Sequence, residues 1–225
     1  NADITSTRLT EFIVEGDALL DGTGALRLQH FGSFDSGPDI VGDADSELTI
    51  GAMQSLIAEG ENLESEIEVD VVNEGTFDVM DGEVTMVDST LTNRSLVRVR
   101  DGAELSGSGI TVDGGTVTVD AGGSVGAADF RLENATINGT TSGISPSGTT
   151  LVGTNTFDVP VEFQSVTVEG NAEIGGAGEV VNGIYNASSA RGADSVTFAS
   201  GMTLTVENNT PFNLPMINEG TVDVL

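Results

Sequence analysis

The chain has 225 residues, 36 of them acidic against 7 basic, for a formal charge of -29 at pH 7. Such a surface repels phosphate backbones and anionic headgroups, which argues against nucleic acid as a partner and against membrane insertion, yet it stays hydrated and attracts cations. Zero Cys excludes disulfides and thiol chemistry, and 30 Gly with only 9 Phe, 1 Tyr and no Trp predict thin aliphatic layers between turns rather than a bulky globular core.

No basic stretch leading into an apolar run opens the chain, and no apolar run approaches membrane-spanning length, so Asn1-Ala2-Asp3 reads as a soluble or already processed start. Residues 1–65 are expected to form an irregular N-terminal cap or first coils, with a separate small domain as the alternative. Within them Phe12-Ile13-Val14, Leu19-Leu20 and Leu26-Arg27-Leu28 look like strands, and Ala52 to Ala58 has the composition of one or two helical turns. His30, the one histidine, is expected at the surface.

From residue 66 to 225 a repeat takes over. Thr76-Phe77-Asp78-Val79 returns about every twenty positions as Val97 with Val99, Val117 with Val119, Ala135 with Ile137 and Phe157 with Val159. Two apolar residues flanking an outward one mark a strand with a single buried face, and the longer fixed period marks stacked units. Turns recur at Asp81-Gly82, Asp101-Gly102 and Ala121-Gly122, each ahead of an apolar position at Val84, Leu105 or Val125. A second corner runs through Asn73, Asn93, Asp113 and Glu133, and a third strand through Leu91, Ile110 with Val112, and Phe130 with Leu132. Three short strands and three corners per coil predict an all-β, right-handed parallel β-helix, a β-solenoid with coils of about twenty residues. One such coil buries too few aliphatic side chains to offset its ordering entropy, so coils have to stack.

After Val159 the count slips. Val166-Thr167-Val168 maps onto Val196-Thr197-Phe198 at a thirty-residue offset, which predicts an inserted loop near 182–194. The closing run Ile217 to Leu225 repeats Val72 to Met80 almost word for word, so the sequence stops in mid-coil. Ile217, Asn218, Val222, Val224 and Leu225 would then form an assembly edge, to be completed by more chain or by another copy.

Catalytic residues are not expected: nucleophile-base chemistry lacks a base beyond His30, and paired carboxylates are common by chance in so acidic a chain. Arg98 would stand between Asp78 and Thr118 on neighbouring strands, an opposite charge beside Asp78. Asp81 above Asp101 is a like-charge stack. Solvated carboxylates explain it, and a shared Ca²⁺ is the one metal alternative. No other cofactor is expected. Sequons occur at Asn93, Asn134, Asn138, Asn186 and Asn208, of which Asn93 and Asn186 are the glycosylation candidates.

Asn73-Glu-Gly-Thr-Phe-Asp-Val, Gly114-Gly-Thr-Val-Thr-Val-Asp and Asn218-Glu-Gly-Thr-Val-Asp-Val resemble the Asn-x-Gly-Thr-φ-x-Val repeats of autotransporter passengers and other secreted β-helical adhesins, over about two thirds of the chain. The resemblance implies a non-enzymatic, extracellular or cell-surface structural protein that self-assembles end to end into a filament or sheath, or forms part of a long adhesin. Its partners would be copies of itself, with glycans as a further class. Two alternatives are a carbohydrate-active or carbohydrate-binding β-helix, with a cleft near Tyr185 and Arg191, and a Ca²⁺-dependent surface-layer module.

Overall fold

Alternating aliphatic and polar residues give each short strand one apolar side, too narrow to bury itself, and this chain buries it by laying strand upon strand. The computed structural model describes residues 4–7, 11–30, 37–60, 63–139, 143–144, 146–181, 184–187, 195–206 and 213–224. Within them there is no helix. The strands form a parallel β-solenoid of about nine turns, each of about twenty residues.

Three faces repeat. The first carries Ile4–Thr7, Gly24–Gln29, Gln54–Glu59, Thr76–Val79, Leu96–Val99, Thr116–Val119 and Thr136–Gly139, each hydrogen-bonded in parallel to the next. It continues through the second halves of Gly148–Phe157 and Ser165–Gly175 to Ser195–Phe198 and Met216–Asn218. The second face begins with Glu11–Val14, Asp39–Gly42 and Glu64–Ile67, passes through the first halves of Glu83–Asn93, Glu104–Asp113 and Ser124–Glu133, and reaches Ile144 by a single bridge. A four-stranded ladder of Val161–Glu162, Glu179–Val181, Thr203–Val206 and Thr221–Val224 follows. The third face runs from Asp17–Leu20 to Ile184–Ala187, and the predicted third strand lies on it, Leu91 pairing with Ile110 and Ile110 with Phe130.

Inside, columns of like side chains stack at the strand spacing of about 4.8 Å. Leu56, Phe77, Val97, Val117, Ile137 and Phe157 form one such column, all buried. Val84, Leu105, Val125 and Ile144 form another. Phe163 meets Phe157 edge to face, with ring centroids 5.8 Å apart, which ties the turn after Phe157 to the first-face column.

Several expectations need correction. Gln54–Glu59 is a strand, not part of a helical turn, held between Gly24–Gln29 on one side and Thr76–Val79 on the other. The irregular count before residue 65 comes largely from one long turn, since Leu26 pairs with Leu56, thirty positions on, while Leu56 pairs with Phe77. Near the other end, Val196 and Phe198 sit on Ala172 and Ile174, an offset of 24 rather than thirty, and Val166-Thr167-Val168 belongs to the third face. Of the loop expected at 182–194, Ile184–Ala187 is a third-face strand paired with Ser165–Val168, and the remainder lies outside the described residues. Gly139, not an aliphatic residue, takes the place above Val119, while Ala135 lies before the strand. The second corner also shifts by one: Asn73 pairs with Asn93, but Asn93 pairs with Val112 and Asp113 with Glu133.

The repeated closing words fold differently in their two places. Val72-Asn73 ends a third-face strand and Thr76–Val79 begins the first face, whereas Ile217-Asn218 ends a first-face strand and Thr221–Val224 lies on the second. The motif therefore specifies a corner between two strands, not which of the three corners.

Candidate functional site

On the first face, Arg27 and Arg98 stand at outward positions and Arg100 just past the strand Leu96–Val99. Backbone pairing sets Asp78, Arg98 and Thr118 side by side in the order the repeat predicts. Their charges pair diagonally instead. Arg100 donates from Nε to Asp78 Oδ1 at 2.8 Å and from Nη2 to Asp78 Oδ2 at 2.7 Å, while Arg98 donates to Asp120 Oδ2 at 2.9 Å. A residue two along an adjacent strand is within reach of a long side chain, and the fork of the guanidinium favours a two-point grip over a sideways contact. The hydrogen bond to Asp78 holds the Arg100 guanidinium above its usual pKa, against the opposing effect of burial. Arg94 lies between Glu74 at 3.7 Å and Asp113 at 3.4 Å, and Arg131 bridges Glu133 and Glu169. The pairs of Arg94, Arg98 and Arg100 join adjacent turns, Arg131 to Glu169 reaches two turns on, and Arg131 to Glu133 stays within one strand.

Asn73 and Asn93 lie inside the coil, both 0% exposed. Asn73 Nδ2 donates to Asn93 Oδ1 and to the Leu96 carbonyl, both at 2.8 Å, and Asn93 Nδ2 donates to the Thr116 carbonyl at 3.0 Å. Their oxygens accept from the amides of Gly75 and Ser95. An amide so enclosed is no glycan acceptor in the folded molecule. Asn186 lies on the strand Ile184–Ala187 opposite Thr167, not in a loop. Arg191 and the side chain of Tyr185 lie outside what is described.

Asp81 Oδ1 accepts from the Gly82 amide at 3.0 Å, a local cap on its own turn, and Asp101 is exposed one turn on. Among the described residues no three His, Cys, Asp or Glu side chains converge in a way that could hold a metal ion. His30 is buried at 2% exposure rather than at the surface, and its amide donates to the Glu59 carbonyl at 3.1 Å.

The predicted edge residues Ile217, Asn218, Val222 and Val224 lie on the last described strands. Among the described residues Met216–Asn218 pairs only with Ser195–Phe198 and Thr221–Val224 only with Thr203–Val206; Val222, in the buried column of Leu204, is 38% exposed, and Ile217, facing outward beside Thr197, is 51% exposed. Leu225 and the side chain of Val224 lie outside the described residues. The sequence did not single out Ile4, which is 45% exposed although it continues the buried column of Leu26; Ile13 and Leu19, also exposed, face outward beside Val41 and Thr49.

Two hollows lie at the first described turn, about 350 Å³ beside Ile4, Leu20 and Leu26 and about 250 Å³ beside Ile13, Glu15 and Asp43, and a groove of about 420 Å³ crosses the third face between Asp88, Thr111, Asp129 and Arg131. Among the described residues no helix is long and apolar enough to cross a membrane. Comparison with family models, with curated proteins and with solved structures finds no match.

Proposed function

We propose that the chain is an extracellular, non-enzymatic structural β-solenoid, a protomer or segment of a surface filament, sheath or long adhesin that is extended by strand addition at its ends. One observation carries the reading. The outermost described strands keep open ladder edges, and Ile4, Met216 and Val222, which continue the buried columns of Leu26, Val196 and Leu204, stay 45%, 39% and 38% exposed. Such an edge takes up a further strand, from the same chain or from another, because backbone pairing and apolar burial are both gained there. The extracellular placement is supported by the Asn-Glu-Gly-Thr words and their likeness to secreted β-helical adhesins. The acidic sides of the rod would limit lateral clumping. Electron microscopy and sedimentation of the purified chain test the reading: rods that lengthen with concentration are expected, and monodisperse monomers that degrade polysaccharides would overturn it.

A second reading, carbohydrate binding, is favoured by the groove on the third face, where the carboxylates of Asp88 and Asp129 and the Thr111 hydroxyl can meet sugar hydroxyls. Calorimetry with neutral oligosaccharides checks it. Binding lost in Asp129→Ala at unchanged melting temperature supports this reading, and the absence of heat with the parent chain removes it.

A further inference from the structure

We propose that Asn134 carries an N-linked oligosaccharide, attached at its Nδ2 and standing out from the corner between the third and first faces. The inference rests on the extracellular placement proposed above and not on assembly.

Asn134-Ala135-Thr136 is one of five Asn-x-Ser/Thr sequences in the chain, and the fold separates them. Asn93 is enclosed, and its Nδ2 is committed to the Thr116 carbonyl. Asn138 is half-buried within its ladder, where its Oδ1 accepts from Thr118 at 2.6 Å. Thr140, which completes that sequence, lies outside the described residues, as do Asn208 and the side chain of Asn186. Asn134 is exposed. Ala135 turns inward at 1% exposure and Thr136 is again partly open, so the acceptor amide and the hydroxyl two residues on both lie on the outer side.

The structural task of this asparagine leaves its nitrogen free. Asn134 takes the left-handed conformation, φ 51°, at a position that Gly114 and Gly153 hold in the turns before and after, with φ of 71° and 65°. Asparagine and aspartate are among the few residues with side chains that reach this region readily. Its Oδ1 accepts from the Thr154 amide at 3.1 Å and ties the corner to the next turn. Conformation and cap use the backbone and Oδ1, and among the described residues Nδ2 has no hydrogen-bond partner.

The corner also has room. A Cβ on Gly153 would stand 2.3 Å from Asn134 Oδ1, and one on Gly114 meets nothing within 4 Å, so glycine on both sides leaves no flanking side chain to crowd the amide. A sugar there projects into solvent without displacing a ladder, as a bulky surface modification requires. Attachment is a balanced substitution. Nδ2 bonds to C1 of the first sugar of an oligosaccharide borne on a lipid diphosphate, the C1–O bond to phosphate breaks, the diphosphate carrier leaves and one Nδ2 proton is released.

The test is made on the protein from its own cells. Fragmentation of the peptide containing Asn134 should place a sugar mass on that residue, while the peptide containing Asn93 should be unmodified. Asn134→Asp keeps an oxygen for the Thr154 amide, and Thr136→Val keeps a β-branched strand residue. Each should lose the whole glycan from the intact mass while retaining the strand signature in circular dichroism. An unmodified Asn134 in protein recovered from outside the cell overturns the inference and leaves the extracellular placement standing. An unmodified Asn134 in protein confined to the cytoplasm removes the placement and the inference together.

Discussion

Asn73 and Asn93 show how single residues hold turns together. Each is a full set of donors and acceptors in a dry interior, and each reaches from its own corner to the carbonyl of a first-face strand, Leu96 for Asn73 and Thr116 for Asn93. Removing one leaves buried groups unpaired, which costs more than the bond itself contributes. Asn93→Ala is therefore expected to lower stability by about 2 kcal/mol in urea unfolding, and a change within error would show that water replaces the amide. The Asp78 and Arg100 pair is two-pronged, with the carboxylate mostly enclosed, so Asp78→Asn should cost about 1 kcal/mol. Its pH dependence has a definite sign. Because the folded-state pKa of Arg100 is raised, its stabilisation is fully present below the unfolded value and is lost only as pH rises through the folded one. Across neutral pH the contribution of the arginine is flat; a melting-temperature difference between parent and Asp78→Asn that collapses between mildly acidic and mildly alkaline buffer, with the loss on the alkaline side, would refute this. The sequence showed Asn73 and Asn93 as a corner but suggested glycosylation for Asn93. At a corner the period of two lapses, and nothing local says whether a side chain turns inward.

At the scale of the strand and its corner, close stacking matters more than local conformation. A Cβ on Gly75 would lie 2.3 Å from the Gln54 carbonyl oxygen and 2.4 Å from that of Gly51, both in the turn beneath, whereas one on Gly102 meets nothing within 4 Å. Gly102 needs its glycine only for φ of 76°. Gly75→Ala should cost about 3 kcal/mol, since rigid backbone has to move, and Gly102→Ala about 1 kcal/mol for the left-handed conformation. Equal losses in chemical denaturation would sink the distinction. Strands were legible between Thr76 and Gly139 because an apolar pair alternated with polar residues and returned on schedule. Gln54–Glu59 was not, since Ala52, Met53, Gln54 and Leu56 are good helix formers and the run follows the long turn that breaks the count. Ladders on both sides outweigh that propensity by satisfying the backbone of the strand from two neighbours.

Over the whole molecule the charge sets a tension with stacking. Glu64, Glu83 and Glu104 stand on three successive strands of the second face, in register, with no basic residue in their column. The middle one also accepts from the hydroxyls of Thr85 and Ser106, bonds that an amide oxygen can keep. Glu83→Gln is therefore expected to stabilise the chain by about 0.5 kcal/mol at low salt, an advantage that screening should erase near 1 M NaCl, where the Debye length is about 3 Å. The parent chain itself should melt higher as NaCl rises from about 10 mM, because screening relieves repulsion among like charges. A melting temperature indifferent to salt would mean that the carboxylates splay far enough to ignore one another. The same screening should favour any end-to-end assembly.

Sequence alone determined that this chain is all β and stacks in coils of about twenty residues, because both facts follow from the spacing of apolar side chains along a strand and from turn to turn. Many in-register neighbours were implied as well: Phe77 beside Val97, Val97 beside Val117, Val84 beside Leu105. Only the tertiary structure decided which corner each Asn-Glu-Gly-Thr word occupies, that Asn93 points inward, and that arginines reach diagonally. Such properties depend on the turn above and the turn below. A local pattern records that a strand needs a neighbour; the stack decides which neighbour.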